Sequence, residues 1–199
     1  MSSGEEHAWR TLSQLAPRDV CNRARVVFNE LSGVYLVKSF HQDILVSPKN
    51  EKMLGQTPTA NFILNEIGHF SKLSILWYLI NAKDIPLSTK LVRPDDLRGG
   101  QIYSDGSHVL PLNQISEKYG SDIPGFFSRG KQLGGKKLDF GDASLRLLPF
   151  PRVPVSIILW KDDIEFPARC GLLFDSTCEI HLPADIIWST AMMSLLILL

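Results

Sequence analysis

Apolar positions change their spacing repeatedly along this chain, and each change predicts a different element. Glu5 to Leu15 reads as a short helix, and Pro17, suited to a first helical position, opens a second through Val20 and Ala24. The spacing then drops to the strand period. Val26–Asn29, Val34–Phe40 and Asp43–Ser47 are runs rich in valine and aromatics, divided by Leu31-Ser32-Gly33 and His41-Gln42, which predicts a three-stranded meander. Pro48 to Thr59 is polar, carries Gly55 and Pro58, and reads as a loop.

Asn61 to Ala82 predicts a helix, with Leu73, Leu76, Trp77 and Ile80 at i, i+3, i+4 and i+7 and Ser71 as N-cap. Ile75, Tyr78 and Leu79 make it apolar on most sides, as expected of a central buried helix that ends at Asp84-Ile85-Pro86. Leu87 to Gly106 is irregular, with a turn at Pro94-Asp95-Asp96-Leu97. Pro111 starts a small helix that Gly120 closes, and another runs from Asp122 to Gln132. The last third predicts strands at Lys136–Phe140, Val153–Trp160, Arg169–Phe174 and Cys178–Leu182, turning at Lys161-Asp162-Asp163 and Asp175-Ser176-Thr177. Val155 to Trp160 is almost continuously apolar, as in a strand covered on both faces.

Ile186 to Leu199 is apolar and uncharged, yet too short to span a bilayer as a straight helix. It predicts a buried terminal helix opened by Pro183 and Asp185; a membrane-surface or partner-binding tail is the sharper alternative. The expected class is therefore α+β: two antiparallel β-meanders, separate or continued as one sheet, packed around the 71–82 helix with a C-terminal helix closing the core. Residues 1–199 read as a single domain, with 1–23 a peripheral helical N-terminus.

Composition adds bounds rather than chemistry. A chain of 199 residues buries about 70% of its unfolded surface, enough for a core without staples. Lysine plus arginine equals aspartate plus glutamate at 21 each, so bulk charge offers no support for nucleic-acid binding. Three widely spaced cysteines and a polar Met1–Arg10 without an apolar leader point to a reduced, cytoplasmic compartment, with no membrane span.

Several motifs weaken on inspection. Gly130-Lys131-Gln132-Leu133-Gly134-Gly135-Lys136 matches a phosphate loop until Lys137 stands where a Ser or Thr must hold magnesium, and the segment follows a helix rather than a strand. A glycine helix stop before an edge strand is the favoured reading. Cys170, Cys178 and His181 offer ligand types for a metal but lack a C-x-x-C knuckle and a fourth ligand, so the absence of a metal site is the favoured reading. The five histidines (His7, His41, His69, His108, His181) stand at no telling interval. Asp142, Glu165 and Asp175, with Arg152 near them in sequence, form the one combination able to do acid–base work with a charge stabiliser.

The blocks Gly134-Gly135, Gly141-Asp142, Pro151-Arg152-Val153-Pro154, Leu159-Trp160, Asp163, Glu165-Phe166-Pro167-Ala168, Leu173-Phe174-Asp175 and Leu182-Pro183-Ala184-Asp185 carry a resemblance. Upstream, Gly33-Val34-Tyr35, Trp77-Tyr78-Leu79 and Leu97-Arg98-Gly99-Gly100 extend it over nearly the whole chain. Together they resemble an uncharacterised prokaryotic domain-of-unknown-function family of anaerobic bacteria and archaea. Some members are fused to an iron–sulfur segment like that of corrinoid proteins in one-carbon metabolism. This chain lacks that segment's cysteines, so the resemblance implies an association with anaerobic cofactor metabolism and no cluster ligands here.

The favoured functional reading is a non-catalytic accessory module that binds a small molecule or a protein partner. Its expected pocket gathers Arg98, Asp142, Arg152, Trp160, Glu165, Phe166 and Asp175, with arginine reading an anionic cofactor or peptide. No particular cofactor or oligomeric state is implied. One alternative is a small-molecule enzyme using a carboxylate acid or base with Arg152. The other is a structural interaction protein that associates through its apolar C-terminus.

Overall fold

Gly33 at φ 67° and the Phe40–His41 pair at φ 47° and 65° are where the first strands reverse, and they set the register of everything between residues 27 and 47. A computed structural model describes residues 3–100 and 109–199. The expectations for 1–2 and 101–108, His108 among them, lie outside these residues. The chain opens with helices α1 (Ser3–Ser13) and α2 (Pro17–Ala24). Strands β1 (Val27–Asn29), β2 (Val34–Ser39), β3 (Gln42–Ser47) and β4 (Lys52–Gly55) then form an antiparallel sheet in that order. β4 falls inside the stretch expected to be loop. Its four residues, Lys52-Met53-Leu54-Gly55, are too few to show a strand period among polar neighbours, and pairing with β3 makes the strand. One face of this sheet buries Tyr35, Val37, Ile44 and Val46, while the other carries an apolar row, Val27–Leu36–Leu45–Leu54, across all four strands.

The expected 61–82 helix is broken. α3 (Pro58–Phe62), capped by the Thr57 hydroxyl, runs into a π-turn over Ile63–Ile67; Gly68 at φ 57° then resets the axis for α4 (His69–Asn81). Ser71 is not an N-cap. It lies inside the first turn of α4, and its hydroxyl stands 2.5 Å from the carbonyl of Ile63 and 2.9 Å from that of Gly68, which also accept the backbone N–H groups of Gly68 and Lys72. Ile75, Leu76, Tyr78 and Leu79 of α4 are buried, and the Tyr78 ring stacks on Phe150 at 4.5 Å.

A second antiparallel sheet follows, in the order β5–β9–β8–β7–β6. It comprises β5 (Leu91–Val92), β6 (Lys136–Leu138), β7 (Ala143–Phe150), β8 (Val153–Trp160) and β9 (Arg169–Asp175). Two helices, α5 (Leu112–Tyr119) and α6 (Ile123–Gln132), lie between β5 and β6 in the chain. The two sheets are separate, but Phe40 donates its N–H to the Leu148 carbonyl at 2.8 Å, fastening the β2–β3 hairpin to β7.

Cys178–Leu182 is not a strand. It forms the short helix α7 (Cys178–His181), because Asp175 accepts from Thr177 and turns the chain out of the sheet. The C-terminal α8 (Ala184–Leu196) packs against α4, with Phe70 and Trp188 meeting edge-to-face at 5.2 Å. Its last carbonyls are held from α5 and α6: Tyr119 donates to Leu198 at 2.5 Å and Arg129 to Ile197 at 2.6 and 3.0 Å. The apolar tail is thus packed rather than presented. No helix among the described residues is long and apolar enough to cross a membrane.

Candidate functional site

Antiparallel pairing places cross-strand partners on one face, and the register of the second sheet sorts its residues accordingly. Val155, Ile157, Leu159, Leu172 and Phe174 face the core. The opposite face carries the rows Lys136–Arg146–Ser156–Leu173, Leu138–Ser144–Ile158–Gly171 and Trp160–Arg169. β5 pairs with only the last two residues of β9, so the rest of that edge is left to other elements. There, a 3-10 turn at Pro94–Asp96 and the start of α5 stand away from the sheet and enclose a cavity of about 560 Å³.

Its floor is Ile158, Trp160, Gly171 and Leu173, and its far wall is Leu110, Leu112 and Asn113. Arg93, Pro94 and Asp95 border the remaining side. The Trp160 indole depends on two glycines. A Cβ on Gly171 would stand 3.2 Å from its six-membered ring, and one on Gly141 would stand 3.3 Å from it and 2.6 Å from the Leu159 carbonyl. Arg169 lies over the same indole at 5.3 Å.

Of the residues singled out from sequence, Trp160 alone lines this cavity. Glu165 and Phe166 border a separate, more open hollow of about 490 Å³ formed by the 162–168 loop and the end of α5. Asp163 shapes that loop by accepting the N–H groups of Glu165 and Phe166 at 2.8 and 2.7 Å. Asp142 accepts the Lys161 N–H at 2.8 Å, and Arg98 docks its backbone N–H on Glu179 at 2.9 Å.

Arg152 and Asp175 are each 3% exposed, and neither lines either hollow. Arg152 sits in the β7–β8 turn. It donates to the carbonyls of Arg23 (2.6 Å), Ile85 (2.8 Å) and Asn22 (3.3 Å) and pairs with Asp84, so it closes the C-terminal end of α2. Arg23 does the same for α4, donating to Ile80 and Ala82 at 3.0 and 2.7 Å. The Asp175 carboxylate accepts backbone N–H groups from Ser88, Thr89 and Thr177 and the hydroxyls of Ser88 and Thr177. Burial raises its pKa, but those hydrogen bonds outweigh burial and hold it below the ordinary carboxylate value.

Among the described residues, no three His, Cys, Asp or Glu side chains stand together to hold a metal. Burial pushes the Cys170 thiol up to about 12. Cys178 also rises to about 12, through burial first and then the charges of Glu179 and Asp175. Such thiols stay protonated. His181 is fully buried, and its Nδ1 accepts the Lys83 N–H at 3.2 Å.

Every other residue lining the cavity was missed as a site residue from sequence, Arg93, Leu110, Asn113 and Gly171 among them. Their signal was faint: a Pro-Asp-Asp turn beside a short helix that starts at Pro111.

A family model described as a domain of unknown function, DUF3786, matches residues 16–195. The chain belongs to that family. The DUF3786 match takes in both sheets, every wall of the cavity and all of α2 to α7. No curated protein and no solved structure matches the chain.

Proposed function

We propose that this DUF3786 chain is a non-catalytic binding module that holds a small, ring-bearing, largely apolar molecule in the cavity between β8, β9 and α5. The cavity carries the reading. Its volume of about 560 Å³ is that of a small-molecule site, and such sites combine apolar walls with a few polar groups, here Arg93 and Asn113. Trp160, fixed by Gly141 and Gly171, offers a ring face for stacking. The carboxylates that an enzyme reading would use support the same choice. Asp175 is committed to five hydrogen bonds, Asp142 to Lys161, and Glu165 borders a different hollow.

The family resemblance extends the proposal to a cytoplasmic, single-domain accessory protein of anaerobic prokaryotes that serves cofactor or one-carbon metabolism. Titration with the neutral dye N-phenyl-1-naphthylamine tests the cavity, and displacement by corrinoids, flavins, folates and nucleotides then sorts ligand classes. Saturable dye emission, with affinity at least tenfold weaker in a folded Leu173→Trp variant, is the expected result. A dye that never saturates, or binds the filled variant equally well, overturns the reading.

A further inference from the structure

We infer that the molecule held against Trp160 carries an anionic group read by Arg93, with Arg169 as a second cation beside the ring; this rests on the cavity proposed above. Two observations around the cavity point there. First, Arg93 borders the cavity and is exposed, yet it forms no ion pair among the described residues. Asp95, the acid on the same wall, already has a partner and is not the counter-charge waiting for a ligand cation.

Second, Arg169 lies over the Trp160 indole at 5.3 Å and likewise has no ion pair among the described residues. A guanidinium on an indole leaves its N–H edge free for an acceptor while the ring face serves an aromatic neighbour. The exposed acids between Trp160 and Arg169, Asp162, Asp163 and Glu165, are gathered on the 162–168 loop and border the other hollow, and Asp96 beside Arg93 accepts that residue's backbone N–H at 3.3 Å.

The ligand class is therefore an aromatic or polycyclic body bearing carboxylate, sulfonate or phosphate. A matched pair of probes isolates the charge: 8-anilino-1-naphthalenesulfonate and N-phenyl-1-naphthylamine share one aromatic body and differ by a sulfonate. Wild-type protein should bind the sulfonate about tenfold tighter, as a charge-assisted contact implies. Arg93→Gln should reduce that preference to near parity, with the larger loss on the sulfonate, and Arg169→Gln should reduce it in part. Raised salt should act in the same direction. Equal affinity of the two dyes, or a preference that survives Arg93→Gln, overturns the anion inference and leaves the cavity standing. Failure of both dyes to bind overturns the cavity and this inference together.

Discussion

The Oδ1 atom of Asp175 accepts both the backbone N–H and the hydroxyl of Ser88, at 3.1 and 2.9 Å, so one carboxylate ties the end of β9 to the segment that enters β5. Replacement by asparagine turns one accepting oxygen into a donor facing N–H groups. Asp175→Asn should lower stability by about 2–4 kcal/mol, read from the urea midpoint at neutral pH. Because its folded pKa is depressed, the charged carboxylate stabilises the protein above its unfolded value of 3.8, and this contribution is lost as pH falls through the lower folded value. The variant should lack that part of the acid limb.

Acid should act earlier through His181. Burial first, then the positive charges of Arg152 and Lys83, push its pKa down from 6.5 to about 4, against a smaller opposing pull from Asp175. The folded state thus binds its proton less readily than the unfolded chain. Stability should be whole above pH 6.5 and decline by about 3 kcal/mol as pH falls to about 4. Urea titrations between pH 7.5 and 4.5 check this, and a His181→Gln variant that keeps the full decline would refute the assignment.

Gly134, which lies in the phosphate-loop-like run, sits at φ 69°, and a Cβ there would stand 2.6 Å from the Cβ of His41. Gly134→Ala should cost about 1–3 kcal/mol from strain and overlap, visible in thermal melts. Lys136→Ala and Lys137→Ala should leave the melt within about 0.5 kcal/mol, as expected of exposed positions.

Removing the Arg152 guanidinium leaves the carbonyls of Asn22, Arg23 and Ile85 without their donor. Arg152→Met should therefore destabilise by about 3 kcal/mol while leaving dye affinity in the cavity unchanged. A selective loss of binding at full stability would return Arg152 to the ligand site.

Sequence pattern revealed β8 with its bounds because both its faces are covered and its apolar run is nearly unbroken. It missed β7, whose Ser144, Arg146 and Pro149 interrupt the apolar pattern, although Leu145 and Leu147 are buried. Cys178–Leu182 misled because a run that short fits either period, and the deciding contact comes from Asp175. The candidate site was legible only at Trp160. Arg152 and Asp175 looked like site residues because charge near a conspicuous block suggests chemistry. Apart from Thr177, two residues from Asp175, their backbone partners lie 67 to 130 residues away and cannot be read locally.

The reach of Arg152 also bears on the order in which the molecule assembles. Its contacts join segments 67, 68, 129 and 130 residues apart, so they form only after long loops have closed. Interactions completed beyond the folding barrier govern how fast the native state is left rather than how fast it is reached. Arg152 is in this sense a latch on the lifetime of the fold: Arg152→Met should quicken unfolding more than it slows refolding, as the two arms of a urea chevron would report.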